Sequence, residues 1–415
     1  MIDGSLATTA ARVPPREGGR RVDGFDGLRA CAALLVVAYH AASVTRVSLA
    51  GPLAPVAAEL KAGVAIFFVI SGFLLYLPYA RAIRSKGPAV DWRQFARRRA
   101  ARILPGYWVA LTLVAAASLI TGVLGPQWWR FYSLAQIYDP HTLQQGLRVA
   151  WSLSVELSFY LVLPFFAWGV RRSLRARSGP EAVRVQLRVL GGVALFSLAM
   201  RWLMTKSLTM PVPPQHLVLS TSIPAMADWF ALGMGLAVLR VEWEAGSAIA
   251  SRLRALANRP GLCWLLAALA YTLGVPVQHG EYFLPTYGVA THLFIGLASA
   301  LIVLPAVLPA ESRDRSRTMS LLSGRTLTWV GTISFGIYLW HVPFRDVIDR
   351  WLGAPRGPAA FALVFVLTLA GGVLLGAASW YLVERPAQAW IRGRHRLRVA
   401  RRTGQLAEST GVQNL

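Results

Sequence analysis

Six ionisable side chains stand inside long apolar runs of this 415-residue sequence: Arg29, His40, Glu156, Asp228, His292 and His341. Ionised groups at the centre of a spanning helix cost roughly 2.5–3.5 kcal/mol on insertion scales, so each of these is a functional hypothesis by default. A histidine and a carboxylate beside a hydroxyl suit general-base chemistry. The imidazole takes the proton of an attacking hydroxyl, and the carboxylate orients the ring or stabilises its cation. The same groups suit a proton relay in a secondary transporter, with Glu156, Asp228 and His341 as its steps. Arg29 and His40 are eleven residues apart, close to three full helical turns, so both lie on one face about 16 Å apart along the axis. Arg97, Arg98, Arg99 and Arg102 form a tight basic run. Guanidinium forks bind phosphate bidentately, so the run suits a phosphate-rich ligand at a membrane surface. It equally suits ordinary flanking charge on a membrane protein. Two cysteines, Cys31 and Cys263, both in apolar runs, build neither a disulfide framework nor a metal cluster, and no metal is expected.

The elements that would hold these residues are membrane spans. The chain is 55% hydrophobic and 15% charged, with 43 Lys and Arg against 19 Asp and Glu and a mean hydropathy of +0.47. Soluble domains carry about 25% charged residues. A nucleic-acid binder would concentrate its basic charge on one domain, whereas here the arginines recur in short bursts between apolar stretches, so nucleic acid is not an expected partner. A window of about 20 apolar residues finds ten runs, near 25–46, 60–80, 103–124, 149–170, 186–204, 222–240, 261–278, 287–308, 329–350 and 360–383. The fold class is therefore all-α, a polytopic membrane bundle of about ten helices spanning 23–392, between basic tails at 1–22 and 393–415. Of the basic residues, 33 fall on one set of alternating segments and nine on the other, with Arg29 just inside the first run. By the positive-inside rule both termini are cytoplasmic, in a cell (inner) membrane. Asp26 and Arg29 interrupt the start of the first run, and its length exceeds a signal-peptide core, so it is expected to stay in the fold.

Counting helix rise from the span ends brings His40, Ser71, Glu156 and His341 to one depth, with Arg29 and the Arg97–Arg102 run nearer the cytoplasmic side. Ser71 is a hydrogen-bond donor there or, beside Gly72, a helix-packing residue. Trp151, Tyr338 and Trp340 either line a sugar site or pack as core aromatics. Asp228 and His292 are read as structural or supporting.

Six segments in order carry a resemblance: Phe25–Arg29 through Val37–His40, Gly63–Phe73, Arg97–Arg99 with Arg102–Pro105, Trp151–Glu156, Ser334–His341 and Trp380–Pro386. Together they resemble the acyltransferase family 3 integral membrane proteins, whose opening motif is Arg-x10-His. The resemblance covers residues 22–392. It implies transfer of an acyl, usually acetyl, group from acyl-coenzyme A onto a hydroxyl of a carbohydrate or secondary-metabolite acceptor. It makes His40 catalytic and Arg29 essential. Arg29, Arg97, Arg98, Arg99 and Arg102 would then suit the coenzyme A phosphates. Glu156 and His341 would orient His40, position the acceptor or move protons, while Ser71, Trp151, Tyr338 and Trp340 would contact substrate.

Overall fold

The computed structural model describes residues 24–49, 51–206, 214–248, 253, 256, 258–275, 285–308 and 313–394. The tail at 1–22 and nearly all of that at 393–415 lie outside them. Among the described residues there is no strand, and ten long helices coincide with the ten apolar runs. They are α1 Phe25–Val44, α2 Ala62–Arg84, α3 Trp92–Ala116, α4 Trp151–Ser173, α5 Gly179–Lys206, α6 Ile223–Glu244, α7 Pro260–Gly274, α8 Pro285–Val307, α9 Arg325–Trp351 and α10 Pro358–Ser379. Seven of the ten are long and apolar enough to cross a membrane, and α7 is a shorter apolar helix. The other two, α3 and α9, carry more polar residues, and both of them line cavities in the bundle. The chain is an all-α, multi-pass membrane protein.

The largest departure from the sequence expectation is α3. It begins at Trp92 rather than near 103, so the Arg97–Arg102 run is helix and not a loop. Asp91 caps it, its carboxylate accepting from the backbone N–H of Arg93 at 2.9 Å and of Gln94 at 3.2 Å. Such a cap satisfies amides that the first turn leaves open, and arginine is a good helix former once the helix has started. The far end stops at Ala116, short of the expected 124. The chain then runs through turns and a short helix, Trp128–Tyr132, to the start of α4.

The bundle can be followed as a row of neighbours. α10 packs on α9, α9 on α1, α1 on α2 and α2 on α6, with α5 and α8 against α6 and α7 against α8. Glycine sets the tightest approaches. Gly72 of α2 abuts the Phe230 carbonyl of α6, and Gly233 of α6 abuts the Val69 carbonyl of α2, leaving no room for a Cβ at either position. Apolar side chains gain little by leaving lipid for a helix surface, so membrane helices associate through close backbone packing of this kind. Gly331 of α9 approaches the Asp26 carbonyl of α1 in the same way. The paired backbones fix α1, α2, α6 and α9 against one another, and α3 and α4 lean on this frame with fewer contacts. The loosely packed side is where the cavities open.

Candidate functional site

Two cavities meet inside the bundle. The first, about 730 Å³, is lined by Arg29 of α1, Ser71 of α2, Arg99 and Arg102 of α3, and Glu156 and Tyr160 of α4, among apolar residues such as Phe67 and Phe335. The second, about 1550 Å³ and open to solvent, is lined by His40, Lys61, Trp151, Arg148, Arg345 and Asp346 among others. Val64 and Tyr338 belong to both linings.

The first cavity is a cationic cup with one anion in its wall. Arg29 donates to Asp26 at 3.2 Å, and its guanidinium is mostly buried. Arg99 and Arg102, three residues apart on one face of α3, turn inward. Arg97 and Arg98 fall on other faces and are exposed. The four-arginine run is thus divided by helical period, and two of its members meet Arg29. Arg385, in the closing segment Trp380–Pro386, is exposed as well, whereas its neighbour Glu384 is 1% exposed. Glu384 accepts from Ser379 at 2.9 Å and packs on Gly106 of α3. It sits in a one-turn π segment, Trp380–Glu384, at the end of α10.

Glu156 accepts two short hydrogen bonds on one oxygen, from Ser71 at 2.5 Å and from Tyr160 at 2.6 Å. Ser71 is therefore a donor, and the packing role falls to Gly72 beside it. Arg99 lies against Tyr160 and near Glu156, so the carboxylate offsets part of the positive charge of the cup. Glu156 bonds to neither imidazole. A carboxylate orienting His40 is not what the structure contains, because the side chain of Glu156 faces α2 and α3 rather than α1 and α9.

His40 and His341 do meet. Their rings are edge to face with centroids 5.0 Å apart. The Nδ1 of His40 donates to the Val36 carbonyl at 3.1 Å, which leaves Nε2 as the acceptor nitrogen of a neutral ring lining the second cavity. His341 is fully buried. Its Nδ1 faces the Tyr338 carbonyl at 2.8 Å and the Ile337 carbonyl at 3.2 Å, and its Nε2 is buried without a partner. The expected layer of four reactive groups is thus two pairs, Ser71 with Glu156 in one cavity and His40 with His341 beside the other. Equal depth placed them at one level but could not say which helix faces which.

Around the pair lie groups that the sequence did not single out. Arg345 is 6% exposed; its guanidinium reaches the His40 carbonyl at 3.4 Å and pairs with Asp346, which Arg148 also approaches at 3.5 Å. Ser152 and Tyr338 share a hydrogen bond of 2.6 Å, and the Tyr338 hydroxyl donates to the Val149 carbonyl at 2.9 Å. Arg345 stands four residues after His341 at the end of the run, so its position could be found, although it reads there as flanking charge. Of the aromatic candidates, Trp151 lines the second cavity and Tyr338 both, whereas Trp340 lines neither and packs against the core.

Asp228 and His292 form a third cluster away from both cavities. Asp228 Oδ1 accepts from Ser197 and contacts His292 Nε2, each at 2.9 Å. The His292 ring stacks on Trp229 with centroids 4.1 Å apart. The proton path of Glu156, Asp228 and His341 is not assembled, since each residue belongs to a different cluster. Among the described residues no three His, Cys, Asp or Glu gather as a metal site.

A polytopic helical bundle with a guanidinium cup on one side of a wall and His40 on the other defines the class, a multi-pass membrane protein with two adjoining cavities. Residues 22–377 match the acyltransferase domain family, Acyl_transf_3, and the chain belongs to that family. It is similar to the peptidoglycan O-acetyltransferase OatA of Listeria monocytogenes, with 27% identity over 391 residues covering 89% of this chain and 56% of that protein. Nodulation protein 10 of Rhizobium leguminosarum is 28% identical over 78% of this chain and 81% of its own length. The exopolysaccharide production protein ExoZ of Rhizobium meliloti is 28% identical over 84% of this chain and 95% of its own. The chain spans little more than half the length of the peptidoglycan acetyltransferases it matches. No solved structure matches.

Proposed function

We propose that the protein is a membrane O-acyltransferase that moves an acyl group, acetyl first among them, from acyl-coenzyme A to a hydroxyl of a carbohydrate. The observation that carries this reading is the pair of cavities meeting at one wall, one with Arg29, Arg99 and Arg102 and the other with the open nitrogen of His40. Three guanidiniums suit the phosphates of coenzyme A. The alternating charge of the connecting segments supports a cytoplasmic donor side and a location in the cytoplasmic membrane, with both termini inside. The names of the relatives, a peptidoglycan O-acetyltransferase and an exopolysaccharide production protein, support a glycan acceptor.

His40 Nε2 takes the proton of the acceptor hydroxyl as its oxygen adds to the thioester carbonyl; the carbon–sulfur bond then breaks and the proton passes to the leaving thiolate. A variant of the same route has Nε2 add to the carbonyl first and carry the acyl group to the hydroxyl. Glu156 holds Ser71 and Tyr160 in place and tempers the charge of the cup, and His341 fixes the His40 ring. The test is purified protein in liposomes with labelled acetyl-coenzyme A and a panel of glycans. Ester-linked label, released by hydroxylamine, is the expected result. Absence of coenzyme A binding together with proton-coupled flux would overturn the reading in favour of a transporter.

A further inference from the structure

Tyr338 is the largest side chain in the wall between the cavities. Its ring stands between Phe67, at 6.2 Å and edge-on, and His341, at 5.8 Å. Its hydroxyl is tied to the Val149 carbonyl at 2.9 Å and to Ser152 at 2.6 Å. The two bonds join α9 to the turn Arg148–Ala150 and the first residues of α4. Buried tyrosines usually satisfy their hydroxyl in this way for packing alone. Here, however, the buried ring, although part of the apolar core, lines a cavity on each side. Val64, the other shared residue, is too small to divide the two spaces by itself.

We propose that Tyr338 is a gate between the donor and acceptor cavities, and that its side chain limits the size of the acyl group that crosses. The inference rests on the acyltransferase reading above. The thioester arrives from the Arg29 side and His40 Nε2 lies on the other, so the acyl carbon reaches the histidine only by displacing the Tyr338 ring. The two bonds of the phenol are neutral and modest in net strength, so contacts with a bound donor can replace them. While the gate is closed, water in the larger cavity is kept from the thioester. An open gate lets a water oxygen add to the carbonyl; the carbon–sulfur bond breaks, acetate forms and the proton goes to the thiolate.

The readout is thiol release from acetyl-coenzyme A by the full chain in liposomes without acceptor. Tyr338→Phe keeps the ring and loses both bonds, and release is expected to rise about fivefold or more. Ser152→Ala, which removes one of the two, should lie between it and the parent. Tyr338→Ala should extend use to butyryl- and hexanoyl-coenzyme A, which the parent handles poorly. A second measurement does not depend on catalysis. With Cys31 and Cys263 replaced by alanine, Ser334→Cys places a thiol in the first cavity. A membrane-impermeant maleimide should reach it from one side of sealed vesicles only, and from both sides once Tyr338→Ala is added. Folded variants that release thiol at the parent rate, keep the parent acyl range and leave position 334 shielded as before would overturn the gate. A parent protein that binds no coenzyme A by calorimetry would overturn the donor reading instead, while the labelling still reports on the wall.

Discussion

Removing His40 and His341 singly and together separates a group that does chemistry from one that positions it. His40 carries the accepting nitrogen, and loss of a general base costs about 10²- to 10⁴-fold in kcat, or roughly 2.7–5.5 kcal/mol. His341 meets the His40 ring at 5.0 Å, edge to face, and the Tyr338 ring at 5.8 Å. Edge contacts of this kind contribute ~0.5–1.5 kcal/mol, so His341→Ala is expected to slow transfer about 2- to 13-fold by loosening His40. His341→Phe keeps a ring at that position and should recover most of the loss. The decisive quantity is the coupling. If His341 acts through His40, the double variant is no slower than His40→Ala, and the whole His341 effect disappears in that background. The assay is transfer of label from acetyl-coenzyme A to ester-linked glycan acetate in vesicles. It is normalised to monodisperse protein by size-exclusion chromatography, because His341 is fully buried and its truncation lowers stability. Full activity of a folded His40→Ala protein would refute the role of His40. Losses that multiply in the double variant would refute positioning and make His341 an independent participant.

Arg99→Ala and Arg102→Ala should each weaken coenzyme A binding about 10- to 150-fold, the worth of a charged hydrogen bond. Arg97→Ala and Arg98→Ala, on exposed faces, should change it little, and isothermal calorimetry with coenzyme A in detergent reads the difference. Asp228→Ala leaves Ser197 and His292 buried without their shared acceptor. It should lower the thermal midpoint, since a buried donor left without its acceptor costs about 1–3 kcal/mol, while activity per folded molecule stays near that of the parent.

The helices were legible because a bilayer imposes a length on every span, and each of the ten apolar runs became a helix. Legibility failed at the start of α3. An apolar window sees only the part of a helix in lipid, and eleven residues rich in arginine, capped by Asp91, preceded it. In the site, depth and spacing found Arg29, His40, Ser71, Glu156 and His341. Depth is one coordinate, however, and the partner of Glu156 is set by the rotation of α4 about its axis. That rotation depends on what α4 packs against, including Phe230 of α6, on which Phe159 stacks, and the Gly72–Phe230 contact that brings α2 close to α6. Arg345 was missed for a related reason. Arginine near a span end is common as flanking charge, and only the packing of α9 on α1 turns this one toward the His40 carbonyl.

The eleven-residue interval between Arg29 and His40 gains a physical meaning from the two cavities. A helix that presents a guanidinium to one cavity and an imidazole to the other must keep both on one face, or one side chain would point into lipid. Intervals of four, seven and eleven residues satisfy this, at about 6, 10 and 16 Å of rise. The shortest would put both groups in a single cavity and take Arg29 away from Arg99 and Arg102. At about 16 Å, Arg29 stays with the cup formed by Arg99 and Arg102, and His40 lies beyond the wall made by Val64 and Tyr338. That length also matches what an extended donor would need, with phosphates on one side and a thioester on the other. Close glycine contacts, Gly63 of α2 on the Ala32 carbonyl and Gly331 of α9 on the Asp26 carbonyl, hold α1 between α2 and α9 and so keep that interval fixed against both cavities.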